Sequence, residues 1–314
     1  MSDLFEKRFV VVAGKGGVGR TTVSLLLGRC AAARGKRTLV CLVGAPPRYE
    51  ELLGGLAIGK EAREVSPGLH VVNLDHVAAR EEYGLMILKS PILHRLVFGS
   101  RIVRAFLDAV PGLAEWAMLG KATYHALNRP GGRPEYDLVV FDSPATGHGL
   151  DVLSLPSAIV ASVPAGRIRD EALERVRLMG DPRLCEVVPV TLAEEMPVNE
   201  ALELIRGLGR HGLPMERIAV NMVGDARPPE ALFALVDERR GDGASAAWLG
   251  PAEVAVGWWR AQADSLARVA AETSLEVLTL PAIQGRTLDV SGFAQLAREL
   301  ARQLSGGADG NGSA

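Results

Sequence analysis

Nine consecutive residues carry the strongest chemical signal in the chain: Gly14-Lys15-Gly16-Gly17-Val18-Gly19-Arg20-Thr21-Thr22. An apolar run, Phe9–Ala13, precedes them and a helical pattern over Thr21–Arg34 follows. A glycine-rich turn between strand and helix lets backbone N–H groups converge on phosphate oxygens, and the helix N-terminus adds partial positive charge. Thr21 offers a hydroxyl to a magnesium ion. The pattern G-x-x-x-x-G-K-[ST] is met except at one position, where Arg20 replaces the usual lysine. Arginine keeps the charge but brings a bulkier, planar fork. Without its flanking elements the segment would read as a plain glycine-rich turn and Lys15 as a solvated surface lysine. With them, phosphate binding accounts for the whole pattern.

A second run, Leu138-Val139-Val140-Phe141, ends in Asp142 and leads into Ser143-Pro144-Ala145-Thr146-Gly147-His148-Gly149-Leu150. A carboxylate at the carboxyl end of a buried strand stands where ligands bind in open α/β sheets, and it can hold the water shell of magnesium. The plainer alternative is a capping or turn residue. The glycines after it suit a segment that moves with the γ-phosphate. His148 reads as a packing or hydrogen-bonding histidine rather than a ligand or base.

These residues need a scaffold, and the rest of the chain supplies one. Apolar, β-branched runs recur at Phe9–Ala13, Thr38–Val43, Leu69–Leu74, Leu138–Phe141, Val187–Thr191, Ile218–Val223 and Val277–Leu280. Many are continuous rather than alternating, the mark of strands buried on both faces. Helical patterns lie between them at Thr21–Arg34, Pro197–His211, Glu253–Thr273 and Val290–Leu304. The fold class is therefore α/β, a doubly wound, mostly parallel sheet with a P-loop NTPase core. Residues 77–130 are helical without strand signal and read as an inserted helical subdomain. Residues 224–252 read as a loop with one short helix. The expected organisation is a single domain over 1–304 and a disordered tail over 305–314, with no internal repeat.

The 314 residues are 48% hydrophobic and 23% charged with net charge −2, an ordinary globular composition that excludes disorder and a small disulfide scaffold. The charge balance gives no overall field for nucleic acid. Cys30, Cys41 and Cys185 are too scattered for a disulfide framework or a four-ligand zinc site and read as core thiols. The apolar stretch around 85–119 is interrupted by charges, so no clean membrane span is expected. Neither a targeting segment nor direct membrane insertion is expected, and a cytoplasmic location follows.

Together these segments resemble the family of the arsenite-pump ATPase ArsA and the tail-anchored-protein targeting ATPase. The Lys-Gly-Gly-Val-Gly-x-Thr-Thr loop supports only the wider dimerising class with a lysine after the first glycine. Asp-Ser-Pro-Ala-Thr-Gly-His (142–148) is similar to the family's own switch, Asp-[ST]-Ala-Pro-Thr-Gly-His. Val187–Glu195 resembles its strand ending in Glu, Ala219-Val220-Asn221-Met222 its Val-Val-Asn-Gln, Leu280-Pro281 its proline loop, and Pro111-Gly112-Leu113-Ala114-Glu115 its Pro-Gly-x-x-Glu. The resemblance covers most of residues 8–304. It implies ATP and Mg²⁺ as cofactors and a dimer formed around them. In the site it implies, Lys15 reaches the partner's nucleotide, and Gly14, Gly16, Gly17, Val18, Gly19, Arg20 and Thr22 cradle phosphate. Thr21 and Asp142 serve the metal, Asn221 and Pro281 frame adenine, and Gly147 and His148 transmit the γ-phosphate. Lys15, Arg20 and Asp142 are the implied catalytic set.

The departures carry information too. The family's first switch reads Asp-Pro-Ala-His, whereas Gly44-Ala45-Pro46-Pro47-Arg48 offers no carboxylate, and Glu50 and Glu51 come too late. Loss of a water-positioning group slows hydrolysis by ~10²–10⁴. The zinc-binding Cys-x-x-Cys of the targeting branch is absent, its region being Ala247–Ala263 with Trp248, Trp258 and Trp259. The paired Trp258-Trp259 reads as core, with a contact patch as the alternative. The excursion after the switch is short over 151–182, leaving 77–130 as helices packed together or as a client surface. The leading expectation is a switch ATPase, slow in turnover, acting as a homodimer or with a paralogous ATPase on a client or membrane-associated protein. A non-catalytic regulatory subunit is the alternative, and a partition or division-site ATPase ranks below both.

Overall fold

The computed structural model describes residues 2–75, 112–144, 149–224, 227–238, 246–283 and 287–306. Eight strands form one sheet: β1 (Phe9–Gly14), β2 (Thr38–Val43), β3 (Arg63–Ser66), β4 (Leu69–Leu74), β5 (Leu138–Asp142), β6 (Cys185–Leu192), β7 (Arg217–Val223) and β8 (Glu276–Pro281). Their spatial order is β3-β4-β2-β5-β1-β6-β7-β8, parallel throughout except for the antiparallel edge pair β3–β4. The described helices are α1 (Arg20–Ala33), α2 (Arg48–Leu52), α3 (Leu113–Leu127), α4 (Gly149–Ser162), α5 (Arg167–Gly180), α6 (Glu195–Arg210), α7 (Glu230–Glu238), α8 (Ala246–Glu272) and α9 (Val290–Gly306).

Why β1 is an unbroken apolar run is visible in its surroundings. Val10 and Val12 face the core shared with α1 and α9, while Phe9, Val11 and Ala13 face the core shared with α3 to α6. Every β1 residue is buried. A central strand covered on both faces has no solvent side on which a polar residue would be stable. Its carboxyl end, and the loop that leaves it, therefore sit in the middle of the sheet between β5 and β6. Such edges are where open α/β sheets bind ligands.

All seven expected strands form. The short β3 escapes a search for apolar runs because it is an exposed, charged edge strand. The short helix expected within 224–252 is α7, while the long helix expected from Glu253 begins earlier, at Ala246. Pro251 lies inside α8, and packing of Ala252, Val256 and Trp259 against Phe233 and Val236 offsets its missing N–H. The paired tryptophans divide: Trp259 meets Phe233 edge to face at 5.4 Å, whereas Trp258 is half exposed. Ser305 and Gly306, expected in the tail, continue α9. Residues 307–314 and most of the expected helical subdomain, 77–111, lie outside the described residues. The described part of that insertion, α3, packs Trp116, Met118 and Leu119 on the sheet as a layer helix. Cys30, Cys41 and Cys185 are free and buried, and burial raises each thiol above its ordinary value. Among the described residues no helix is long and apolar enough to cross a membrane.

The opposite end of the sheet is closed by charge. Arg217 donates to Glu186 at 2.8 Å, to Glu276 at 3.0 Å and to the Ser2 carbonyl at 2.6 Å, with Glu186 fully buried. Burial raises the Glu186 carboxyl above its ordinary range, opposed by Arg217. Removing one partner of a buried pair leaves an uncompensated charge. Arg217→Met is expected to destabilise the chain by about 3–5 kcal/mol at neutral pH. Because the folded-state value of Glu186 is raised, the variant's lost stability returns as pH falls and Glu186 takes up a proton. Denaturant melts at pH 5 and pH 7.5 measure both effects.

Candidate functional site

The loop after β1 is shaped by two glycines that no other residue replaces. A Cβ on Gly14 would press on the Val190 carbonyl of β6. Gly19 has φ +90° and a Cβ there would overlap the Asn221 amide. Between them Lys15, Gly16 and Gly17 are exposed and Val18 is buried. Helix α1 begins at Arg20 without a side-chain cap, so its first N–H groups are open to a ligand.

The Arg20 side chain passes beside Gly14, close enough to meet a Cβ placed there. Its guanidinium is buried, folds back to the end of β5 and donates to the Ser143 carbonyl. Desolvation lowers its pKa, opposed by Asp142 and Tyr49. The next residue makes the central contact: Thr21 Oγ1 donates to Asp142 Oδ2 at 2.6 Å. Asp142 is almost completely buried, and desolvation pushes its carboxyl up to about 6, against the Thr21 hydrogen bond and the Arg20 charge. Asp142 Oδ1, Ser143 Oγ and Ser24 Oγ are buried with no partner at full hydrogen-bond geometry, although the Ser24 hydroxyl is near enough to Asp142 to help lower its pKa. A buried polar atom without a partner costs about 1–3 kcal/mol, so this cluster is a place made for something else. Hydroxyl and carboxylate oxygens are the donor set magnesium prefers, and a hydrated cation satisfies both Asp142 Oδ1 and the hydroxyls. The residues present fit that ion.

The remaining expected residues lie along the same edge. Lys15 is half exposed and forms an ion pair with Glu200 of α6. Asn221 is buried and donates from Nδ2 to the Val18 carbonyl at 3.0 Å. Pro281 ends β8 beside Val223. Thr22 is half-buried in the first turn of α1. Gly147 and His148 lie outside the described residues.

Sequence reasoning passed over several contributors. Ser24 follows Thr21 by three residues and so shares its helix face. Asn73, a polar residue near the carboxyl end of an apolar strand, clamps the first-switch stretch by accepting from Ala45 N at 3.0 Å and donating to Ala45 O at 2.9 Å. No carboxylate stands in residues 44–48. Glu50 accepts from the Ile58 amide at 3.0 Å, and Tyr49 is buried beside it.

A central strand, a glycine-rich loop leading into α1, and a buried carboxylate on the neighbouring strand together define an α/β phosphate-loop NTPase core. The model of the anion-transporting ATPase (ArsA) family matches residues 7–165, half of the chain, and the protein belongs to that family. It is similar to ATPase BagA of Mycobacterium tuberculosis, 28% identical over 70% of this chain and 66% of that one. The arsenical pump-driving ATPase of Acidiphilium multivorum is 24% identical over 68% of this chain and 39% of its own length. ATPase GET3B of Arabidopsis thaliana is 25% identical over 69% and 64%, respectively. The chain thus spans just under two thirds of the mycobacterial relative and a smaller share of the pump ATPase.

The raised Asp142 value has a testable sign. A carboxyl that holds its proton more tightly when folded loses stability as pH rises from its ordinary 3.8 through about 6. Asp142→Asn is therefore expected to stabilise the ligand-free chain by about 1–3 kcal/mol at pH 8 and by little at pH 4. Thermal melts at the two pH values read the difference.

Proposed function

We propose that the chain is a Mg²⁺-ATP-binding switch ATPase. The observation that carries this is the Thr21–Asp142 hydrogen bond with the orphaned Asp142 Oδ1 beside an open helix N-terminus. Amides of residues 14–19 and of the first turn of α1 cradle the phosphates, while Thr21 and Asp142 hold the metal. Magnesium neutralises charge on the terminal phosphate oxygens. Asn221 and Pro281 border the base.

Arg20 bridges the loop to Ser143, and so to the segment that follows β5. A terminal phosphate competes with the Ser143 carbonyl for the same guanidinium, which couples occupancy to that segment. Lys15, on the exposed rim, reaches a second subunit once it leaves Glu200. The dimer, of this chain or with a paralogous ATPase, controls a client or membrane-associated protein in the cytoplasm. No nucleic acid partner enters the proposal.

A second reading, a regulatory subunit that binds without hydrolysing, is favoured by one specific arrangement. Residues 44–48 lack a carboxylate and the nearby Glu50 is committed to the Ile58 amide. Calorimetry with Mg²⁺-ATP, light scattering with an ATP analogue and steady-state phosphate release separate the possibilities. The ATPase is expected to bind at micromolar to millimolar ATP, to dimerise with nucleotide, and to release phosphate slowly in a manner abolished by Arg20→Ala. Binding with zero turnover supports the regulatory reading. No heat and no thermal shift at millimolar Mg²⁺-ATP overturns both.

A further inference from the structure

The residue that borders the base is attached to something else. Asn221 donates from Nδ2 to the carbonyl of Val18, within the phosphate loop, and its amide is so close to Gly19 that no Cβ fits between them. The side chain is buried. Ala219, two residues earlier on β7, faces the same core as Val18, so strand alternation turns Asn221 toward the loop, and the backbone just beyond it is irregular. Between Val220 and Val223 the pairing of β7 with β8 slips, three residues advancing on β7 against two on β8. Met222 takes up the extra residue at φ +54°, the one described residue other than glycine with a positive φ. A bulge of this kind redirects a side chain near a strand end, and a left-handed non-glycine residue persists only where its surroundings over-determine it.

We propose that Asn221 is a positioning residue for the phosphate loop. Its amide takes the Val18 carbonyl and so keeps the neighbouring N–H groups of the loop turned outward. This adds a task that involves no base, and it rests on the reading of residues 14–22 as a phosphate site. The glycine at 19 then serves two ends: it allows φ +90° and it admits the Asn221 amide.

A ligand without a base isolates the effect. Mg²⁺-tripolyphosphate carries the phosphates of ATP and nothing for a base reader to recognise. Calorimetric titration of wild type, Asn221→Ala and Asn221→Leu with Mg²⁺-tripolyphosphate, Mg²⁺-ATP and Mg²⁺-GTP is the experiment. The leucine variant keeps most of the packing on Gly19 while removing the donor, and thermal melts report whether each variant is folded. Loss of one loop-holding hydrogen bond is expected to weaken tripolyphosphate by about tenfold in both variants, with a loss at least as large for both nucleotides. A folded variant that binds tripolyphosphate like the wild type while losing ATP, or shifting the ATP-to-GTP preference, makes Asn221 a base reader alone and overturns the inference. Unchanged binding of all three ligands overturns it as well. If wild type binds none of them, the phosphate-site reading falls first and takes this inference with it.

Discussion

Asp142 is a carboxylate held out of water, with one oxygen bonded to the Thr21 hydroxyl and the other without a full partner. The cause is its place in the sheet, at the end of β5 between β1 and β2, beneath the loop that leaves β1. Desolvation raises its pKa to about 6, even with the Thr21 hydroxyl bonded to one oxygen and the Arg20 charge nearby. The fold pays for this arrangement in stability, since an apolar or amide side chain there would be cheaper. The strand order places β5 beside β1, and the start of α1 after the β1 loop brings the Thr21 hydroxyl and the open amides of the first turn to that carboxylate.

The loop around it is fixed from outside as much as from within. β6 presses on Gly14 through a carbonyl, β7 reaches Val18 and Gly19 through Asn221, and β5 takes the Arg20 fork through Ser143. Each of these contacts joins segments more than 100 residues apart in the chain. They meet because the parallel strands cross over, leaving the first strand between the fifth and the sixth. A loop held on three sides loses little conformational freedom when a ligand arrives, which is the physical content of preorganisation.

Two departures from the family's usual residues bear on chemistry. A guanidinium at position 20 is bulkier than an ammonium, and here it passes beside Gly14 and donates to the Ser143 carbonyl. The first-switch stretch has no carboxylate and is instead clamped through its backbone by Asn73. Under the proposed function, both changes alter the surroundings of the terminal phosphate rather than the phosphate loop itself. Met222 near the end of β7 and Trp258 of α8 are both half exposed, Trp258 packing on Gly224 just past the strand's end.

The strands, their parallel burial and the phosphate loop were legible from sequence, because continuous apolar runs and glycine spacing are local signals. Asp142 and Thr21 were legible for the same reason: each sits at a fixed offset from a strand end. Local signals failed where partners were distant or opposed. β3 carries charges because it lies at an edge, α8 runs through Pro251 because a small core of its own supports it, and Ser24 and Asn73 acquire meaning only from what surrounds them. The amide of Asn221 could be placed at the right edge of the sheet by its motif. Its attachment to Val18 was decided by the tertiary structure, which lays β7 beside β6 and brings the loop after β1 within reach of a residue 203 positions away in the chain.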